Sequence, residues 1–277
     1  MSVTTTSTDA EDAPPHEVIG VDIGGSGVKG AVVDTSSGEL VTERVRIETP
    51  QPATPGAVAD TVAEVIAELD HPGPVGLTVP AVVRQGVVRT AANIDETWVG
   101  TQAEDLFGGI LGRPCVVLND ADAAGMAEMR FGAGEGRPGV VIVATLGTGI
   151  GTAVFTDGVL VPNTELGHLE LKGGDAEKYA ASSVREAEDL SWDHWGHRVG
   201  RYFRLLERLF WPELIIVGGG VSKKFERFSD HVLEKMDGHT EVVPAHSLNQ
   251  AGIVGAALAV VGSASPHPAS PAAEGRS

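Results

Sequence analysis

The chain has 277 residues, 20 Lys plus Arg against 38 Asp plus Glu, a formal net charge of −18 and a single cysteine, Cys115. That charge excludes a sequence-independent hold on DNA or RNA, which depends on neutralising phosphates with basic side chains. One cysteine excludes a disulfide scaffold, and no apolar run approaches the ~20 residues of a membrane helix, so a cytoplasmic chain of about two domains is expected. Residues 1–17 are a Thr/Ser/Asp/Glu/Pro stretch without a hydrophobic run, expected as a disordered arm. Val18, Ile19, Val21 and Ile23 predict a strand running into a glycine cluster; Ala31 to Val33 predict a second strand, and Leu40 to Ile47 a third beyond the turn at Ser36 to Glu39. Val58, Val62, Val65, Ile66 and Leu69 fall on one face at 3.6 periodicity, a helix ended by Pro72 and Pro74. Short strands follow at Val75 to Val79, Val82 to Val83 and Val87 to Val88, then a helix around Ala103 to Leu111 and a strand at Cys115 to Leu118. Ala121 to Phe131 predicts a helix, after which strands at Val140 to Leu146 and Thr152 to Phe155 begin the strand-and-glycine pattern again. Asp175 to Leu190 and Trp192 to Phe210 predict two helices, Leu214 to Val217 a buried strand, and Ala251 to Val260 a terminal helix rich in small residues, followed by a coreless Pro/Ala/Ser tail. Two α/β halves result, each opening with strands around a glycine turn.

Gly25-Ser26-Gly27-Val28-Lys29-Gly30 matches G-x-G-x-x-G after a strand, but a β-branched strand follows instead of a helix, so the dinucleotide reading fails. A P-loop fails too, because neither Ser nor Thr follows Lys29. An ordinary hairpin turn is the plain alternative. Against it stand Asp22 before the glycines and Ser26 and Lys29 after or among them. Gly24, Gly25 and Gly27 let the backbone approach an anion with turn N–H groups donating, and Asp22 at a strand end can organise Mg²⁺ through water. Gly147-Thr148-Gly149 repeats this design in the second half, which suggests a pair of facing phosphate clamps. Gly218-Gly219-Gly220 is a third glycine cluster, after a buried strand and before a helix, where N–H groups face a ligand.

Asn119-Asp120 ends a strand and immediately precedes a helix, a cleft-edge position in α/β sheets. Asp120 is there either as the helix N-cap or as a group turned to a ligand. Glu165-Leu166-Gly167-His168 places a carboxylate and an imidazole on one loop, again either solvated or binding. Sugars and other hydroxyl-rich ligands need amides, carboxylates and imidazoles as paired hydrogen-bond partners. Asn93, Asn119, Asp120, Glu165 and His168 supply that set.

Asp22 to Lys29, Asn119 to Asp122, Leu146 to Gly151, Glu165 to His168 and Ile216 to Gly220 together resemble the ROK (repressor, open reading frame, kinase) family over about Val18 to Val260. Thr164 to Leu171, Leu190 to Asp193 and Pro212 to Ser222 are similar to its actinobacterial polyphosphate glucokinases, the glucomannokinase variant included. The resemblance implies an actin-like, ribonuclease-H-like duplicated α/β fold of two domains with a cleft between them. It implies phosphorylation of the 6-hydroxyl of glucose, with mannose a further acceptor, by inorganic polyphosphate or ATP with Mg²⁺. In that reading Asp120 is the general base and Asp22 the Mg²⁺ organiser. Asn93, Asn119, Glu165, His168 and Glu177 hold the hexose, Glu177 being matched by its place before Tyr179-Ala180-Ala181-Ser182. Gly24 to Gly27, Lys29 and Gly147 to Gly149 hold phosphate, and Gly218 to Gly220 the nucleotide. Lys29 is the best-placed cation for a polyanionic donor, with Arg130, Lys172, Lys223 and Lys224 as further candidates. Lys172 to Glu177 stands where many members of the family carry a cysteine-rich zinc motif, so zinc is not expected. The expected division is an arm at 1–17, an N-terminal domain at 18–119 with a helix at 251–262 packing back on it, a C-terminal domain at 120–250 and a tail at 263–277. No nucleic acid or membrane partner is expected, and either a monomer or a homodimer is compatible. The alternatives are a strictly ATP-dependent hexokinase of the same family, a sugar-responsive repressor and a sugar-binding module. A repressor needs a helix-turn-helix domain, for which 17 residues before the first strand are too few, and a mere binding module needs no base at Asp120.

Overall fold

The computed structural model describes residues 16–92, 94–246 and 250–264. The two segments expected as arms lie outside these apart from His16, Glu17, Ser263 and Ala264, of which Glu17 opens the first strand and the last two close the final helix. The first half contains β1 (Glu17–Gly24), β2 (Gly27–Asp34), β3 (Val45–Ile47), α1 (Pro55–Leu69), β4 (Val75–Val79), a two-residue pair β5 (Val83–Arg84) and β6 (Val87–Val88), α2 (Ala103–Leu111) and β7 (Cys115–Asn119). Then come α3 (Asp120–Phe131), β8 (Val140–Leu146), β9 (Ile150–Thr156), β10 (Val159–Val161), β11 (Glu170–Leu171), β12 (Gly174–Asp175), α4 (Glu177–Ala180), α5 (Ser182–Ala187) and α6 (Trp192–Phe210). The chain closes with β13 (Leu214–Gly218), α7 (Ser229–Leu233), β14 (Glu241–Pro244) and α8 (Ala251–Ala264). Among the described residues no helix is long and apolar enough to cross a membrane.

The two main sheets have the same plan. The order β3-β2-β1-β4-β7 is matched by β10-β9-β8-β13-β14. In each, three antiparallel strands are extended by two parallel ones. This is the duplicated, actin-like architecture.

Strand alternation decides what each sheet face meets. In β1, Ile19, Val21 and Ile23 point to the α1 side, where they pack with Val58, Val62, Val65 and Ile66, the apolar stripe of that helix. In β8, Ile142, Ala144 and Leu146 point to α6 and its Trp195, Val199, Tyr202, Phe203 and Leu206. The opposite faces are covered by exchange. The helix that ends the first half, α3, lays Met126 and Met129 on the second sheet, against Val141, Val143, Leu214 and Ile216. The helix that ends the second half, α8, lays Ile253, Val254, Ala257 and Val260 on the first, against Val18, Ala31 and Val33.

Glycine makes the exchange fit. Gly20 of β1 and Gly76 of β4 are register partners, and a Cβ on either would run into the backbone of α8 at Ile253 or Ala256. Where the two exchanged helices cross, a Cβ on Gly255 would run into the carbonyl of Ala123. α8 therefore lies in a groove with its main chain against the sheet on one side and against α3 on the other.

Two expected elements differ. Only Val45–Ile47 forms the third strand, with Leu40 reduced to an isolated bridge to Val33. The helix expected from Asp175 to Leu190 is broken into β12, α4 and α5, because Ala181 is extended and the Ser183 N–H and hydroxyl bond to the Gly147 and Thr148 carbonyls. Those tertiary bonds outcompete helix propensity.

Candidate active site

The glycine turns, the β7–α3 junction and the segment from Glu165 to Glu177 meet between the two sheets around a cleft of about 530 Å³. The turn Gly25-Ser26 joins β1 to β2, and Gly147-Thr148-Gly149 joins β8 to β9. Gly24, Gly25, Gly147, Thr148 and Gly149 line this cleft together with Glu165, His168 and Glu177. Asn93 lies outside the described residues.

Asp120 stands at the start of α3, but Asn119 caps the helix. The Asn119 amide oxygen accepts the N–H groups of Ala121 at 2.8 Å and Asp122 at 3.1 Å, and its Nδ2 donates to the Ala81 carbonyl at 3.1 Å. Asn119 is buried with one amide hydrogen left over, so the hexose contact expected of it is reduced to that hydrogen. Asp120 is correspondingly relieved of capping, although one of its own oxygens accepts the Ala121 N–H at 2.9 Å. Burial, with the Asp22 and Glu165 carboxylates adding repulsion, pushes the Asp120 carboxyl up to about 6. The helix N-terminus works against that rise, and burial outweighs it.

A second cavity, of about 450 Å³, also reaches Asp120, and it is lined by Asp22, Lys29, Arg44, Gly218 and Gly219. Asp22 accepts the Thr78 hydroxyl at 3.1 Å and pairs with Lys29 at 3.3 Å. Both follow from register, since Lys29 and Thr78 are its neighbours on β2 and β4. The expected use of Lys29 as a free phosphate cation is thus shared with Asp22. Gly252 at the start of α8 allows this arrangement, because a Cβ there would lie 2.9 Å from the Asp22 carboxyl carbon. Asp120 is therefore common to a cavity of hydroxyl-binding groups and a cavity with cations and glycines. Asp22 and Asp120, two carboxylates lining one cavity, are a donor set that suits a hard divalent cation such as Mg²⁺.

Gly218 ends β13, and Gly219 has φ +81 with a would-be Cβ 2.7 Å from the Leu146 carbonyl oxygen, so only glycine fits there. Gly220 lines a third, smaller cavity of about 290 Å³ beside Gly147, Thr148, Ser183 and Trp192. Around Trp192 three cations gather: Arg185 at 4.1 Å from a ring centroid, Arg227 at 5.2 Å and Lys224 at 5.7 Å. Of the expected donor track only Lys224 joins this group. Lys223 is exposed outside it, Arg130 stacks on its neighbour Phe131, and Lys172 sits at the tip between β11 and β12.

Glu165 and His168 flank the short 3₁₀ turn at Leu166–His168, where Gly167 is required because a Cβ would meet the Ile150 carbonyl. Burial raises the Glu165 carboxyl above its ordinary value. His168 Nε2 lies 3.8 Å from Glu165, and its Nδ1 3.9 Å from Asp175. Glu177 accepts the Ile150 N–H at 3.3 Å and presses against Gly149, tying the hexose side of the cleft to the second glycine turn. The cysteine-free stretch after His168 is held by the β11–β12 hairpin, the Ala176 N–H to the Leu169 carbonyl, and a 2.9 Å Lys178–Asp175 pair.

Several residues here escape one-dimensional reading. Arg46 donates to the Ser26 carbonyl at 2.8 Å and lies against Gly27, placing a guanidinium at the first glycine turn. Its signal was strand pairing, since Arg46 and Lys29 are register partners. Asp122 is buried and accepts the Asn163 N–H at 2.8 Å, while the Asn163 amide bonds both backbone groups of Val83 in the other half.

Residues 18–183 match the ROK family. The chain is 51% identical over 243 residues to the polyphosphate glucokinase of Mycobacterium tuberculosis (strain ATCC 25618 / H37Rv), covering 87% of this chain and 90% of that protein. The crystal structure of an inorganic polyphosphate/ATP-glucomannokinase from Arthrobacter sp. strain KM superimposes with a TM-score of 0.83 at 51% identity, covering 90% of this chain and 100% of the other. A ROK family glucokinase from Streptomyces griseus, solved with glucose and AMPPNP, gives a TM-score of 0.76 at 26% identity over 88% of this chain and 98% of that one.

Proposed function

The chain belongs to the ROK family, and we propose that it phosphorylates the 6-hydroxyl of glucose, and of mannose as a second acceptor, using inorganic polyphosphate or ATP, in the cytoplasm. The observation that carries this reading is the position of Asp120 where the hydroxyl-binding cavity meets the cation- and glycine-lined one. Glu165, His168 and Glu177 fix the sugar so that its 6-hydroxyl faces Asp120. As the hydroxyl oxygen bonds to the terminal phosphorus, the bond from phosphorus to the bridging oxygen breaks and the hydroxyl proton passes to the Asp120 carboxylate. A carboxyl near 6 is ionised at neutral pH yet basic enough to accept that proton. N–H groups of the turns at Gly24 to Gly27 and Gly147 to Gly149 face the donor phosphates, Lys29 and Arg46 add positive charge at the first turn, and Gly218 to Gly220 border the nucleotide when ATP is the donor. Mg²⁺, organised by Asp22, supplies neutralisation of phosphate charge when bound.

A coupled assay for glucose 6-phosphate with polyphosphate and ATP as separate donors tests this reading, with turnover expected from each. Turnover with ATP alone would leave a strictly ATP-dependent hexokinase; none with either would sink the kinase reading. Chelation by EDTA should stop turnover with secondary structure retained by circular dichroism, and added Mg²⁺ should restore it. Full turnover in EDTA, or a loss that added Mg²⁺ fails to restore, would contradict a cation that travels with the phosphates.

The cations around Trp192 give the donor prediction. Polyphosphate reaches beyond the reacting centre, whereas ATP presents three phosphates, so Arg185→Gln with Lys224→Gln should raise KM for long polyphosphate about tenfold and for ATP much less. Lys223→Gln, outside the cluster, should change neither. Raising salt should weaken polyphosphate more steeply than ATP in the parent chain, and this difference should shrink in the double variant. Equal responses of the two donors would refute the track.

A further inference from the structure

Away from the cleft, α6 and α7 pack closely through two glycines one turn apart. A Cβ on Gly196 would lie 2.8 Å from the Cβ of His231, and one on Gly200 would meet the Val232 carbonyl. This approach gathers four side chains that phosphoryl transfer does not use: Asp193 and His197 on α6, His231 on α7 and Glu234 just after it. His197 Nδ1 lies 3.1 Å and His231 Nδ1 3.6 Å from Asp193 Oδ1, and the three residues each offer a ligand atom within 4.8 Å of the other two. Ligand atoms bound tetrahedrally to Zn²⁺ at about 2.0 to 2.1 Å are about 3.3 Å apart, so the three need little movement to share one ion. The remaining nitrogen of His197, Nε2, is 2.8 Å from Glu234 Oε2, the carboxylate contact that orients a metal-bound imidazole.

One further observation points to a missing partner. His231 Nδ1 is buried and makes no hydrogen bond, although Asp193 and Glu234 oxygens stand 3.6 and 3.7 Å away. A buried nitrogen without a partner needs a proton acceptor, a water or an ion to complete it. His197 has a related problem. A neutral imidazole donates from one nitrogen only, so with carboxylates at both, one lone pair faces a carboxylate unless a proton or a metal lies between.

We infer that Asp193, His197 and His231 form a binding site for a divalent transition metal of the Zn²⁺ class, with Glu234 orienting His197 and water as the fourth ligand. Two imidazoles and one carboxylate favour Zn²⁺ over Mg²⁺ or Ca²⁺, which prefer all-oxygen sets. The site ties α6 to α7 and so stabilises the second half; it is separate from the Asp22 cation and from the trio His168, Asp175 and Glu177 near the cleft.

The untagged full chain, stripped with chelator and dialysed, is titrated with Zn²⁺ by calorimetry and with Co²⁺ by visible absorption. The expected result is a saturable equivalent showing the intense d–d bands of tetrahedral Co²⁺, and a rise in Tm with Zn²⁺ that chelator reverses. Asp193→Asn and His231→Ala should each weaken that equivalent at least about 100-fold, and Glu234→Gln about 10- to 100-fold, while His168→Ala should leave it in place. Asp193 is half exposed, so Asp193→Asn keeps the test open even where His231→Ala, on the helix seam, does not fold. No binding tighter than about 10 μM, binding that persists unchanged in folded Asp193→Asn, or loss of the equivalent in His168→Ala would each overturn the site.

Discussion

Asp120→Asn is expected to lower kcat by about 10²- to 10⁴-fold while making the unliganded protein harder to melt. The amide keeps the shape of the side chain and can still accept the Ala121 N–H, so sugar affinity should change little. What is lost is the proton acceptor. What is gained follows from the sign of the shift. The folded carboxyl, near 6, lies above its unfolded value of 3.8, so ionising it in the folded protein costs on the order of 3 kcal/mol. That cost is absent below about pH 4, accumulates between 4 and 6, and is complete above. The variant's advantage in Tm should therefore open over that interval and stay constant at higher pH. The same group predicts that kcat/KM of the parent chain falls about tenfold per unit below pH 6. Near-normal turnover, or a Tm advantage that does not depend on pH, would remove Asp120 from the role given to it.

Gly255→Ala should be the most damaging single methyl in the molecule. Its Cβ would occupy the space of the Ala123 carbonyl, and a backbone carbonyl in the first turn of α3 cannot swing aside as a flexible side chain would. The two helices must part, which lifts α8 from Gly20 and Gly76 as well. Overpacking usually costs about 1 to 3 kcal/mol; with backbone on both sides the upper end or beyond is expected, a fall in Tm of roughly 10 °C. Gly262→Ala in the same helix has no atom within 4 Å of the new methyl and should be neutral or slightly stabilising. Thermal melts of the two variants side by side decide it; similar values would mean that the crossing is not close-packed.

The repeated plan of strands around glycine turns was visible in the sequence because hairpins and buried strands are local. The packing of a helix near 251–262 on the first half was expected from the family resemblance, but the reason it fits was not legible, since that depends on Gly20 and Gly76 becoming neighbours across a parallel pair 56 residues apart in sequence. At the site, Asp22, Asp120, Glu165 and His168, singled out by their places in strands, turns and loops, and Glu177, matched through the family resemblance, line two cavities that share Asp120. Whether Asp120 caps the helix or faces a ligand stayed open in the sequence, because Asn and Asp are equally good caps and only the observed hydrogen bonds give the cap to Asn119. The broken helix after Asp175 has the same origin. Nothing local in Tyr179-Ala180-Ala181-Ser182 announces that Ser183 will bond to a turn 35 residues earlier. The cations at Arg46 and Arg185 were likewise beyond periodicity, being placed by register and by stacking on Trp192.

The exchange of α3 and α8 also sets a timetable for the making of the protein. On the ribosome, the first sheet can form its hairpins and close its α1 face early, but the groove along Gly20 and Gly76 stays open until residues 251–264 have been synthesised and released. That face of the sheet thus waits on a helix translated after every strand of the second sheet, and the nascent chain carries an uncovered apolar surface until then. One small-residue helix then seals the first sheet and, through Ala251 and Gly252, sets a wall of the Asp22 cavity at the same moment.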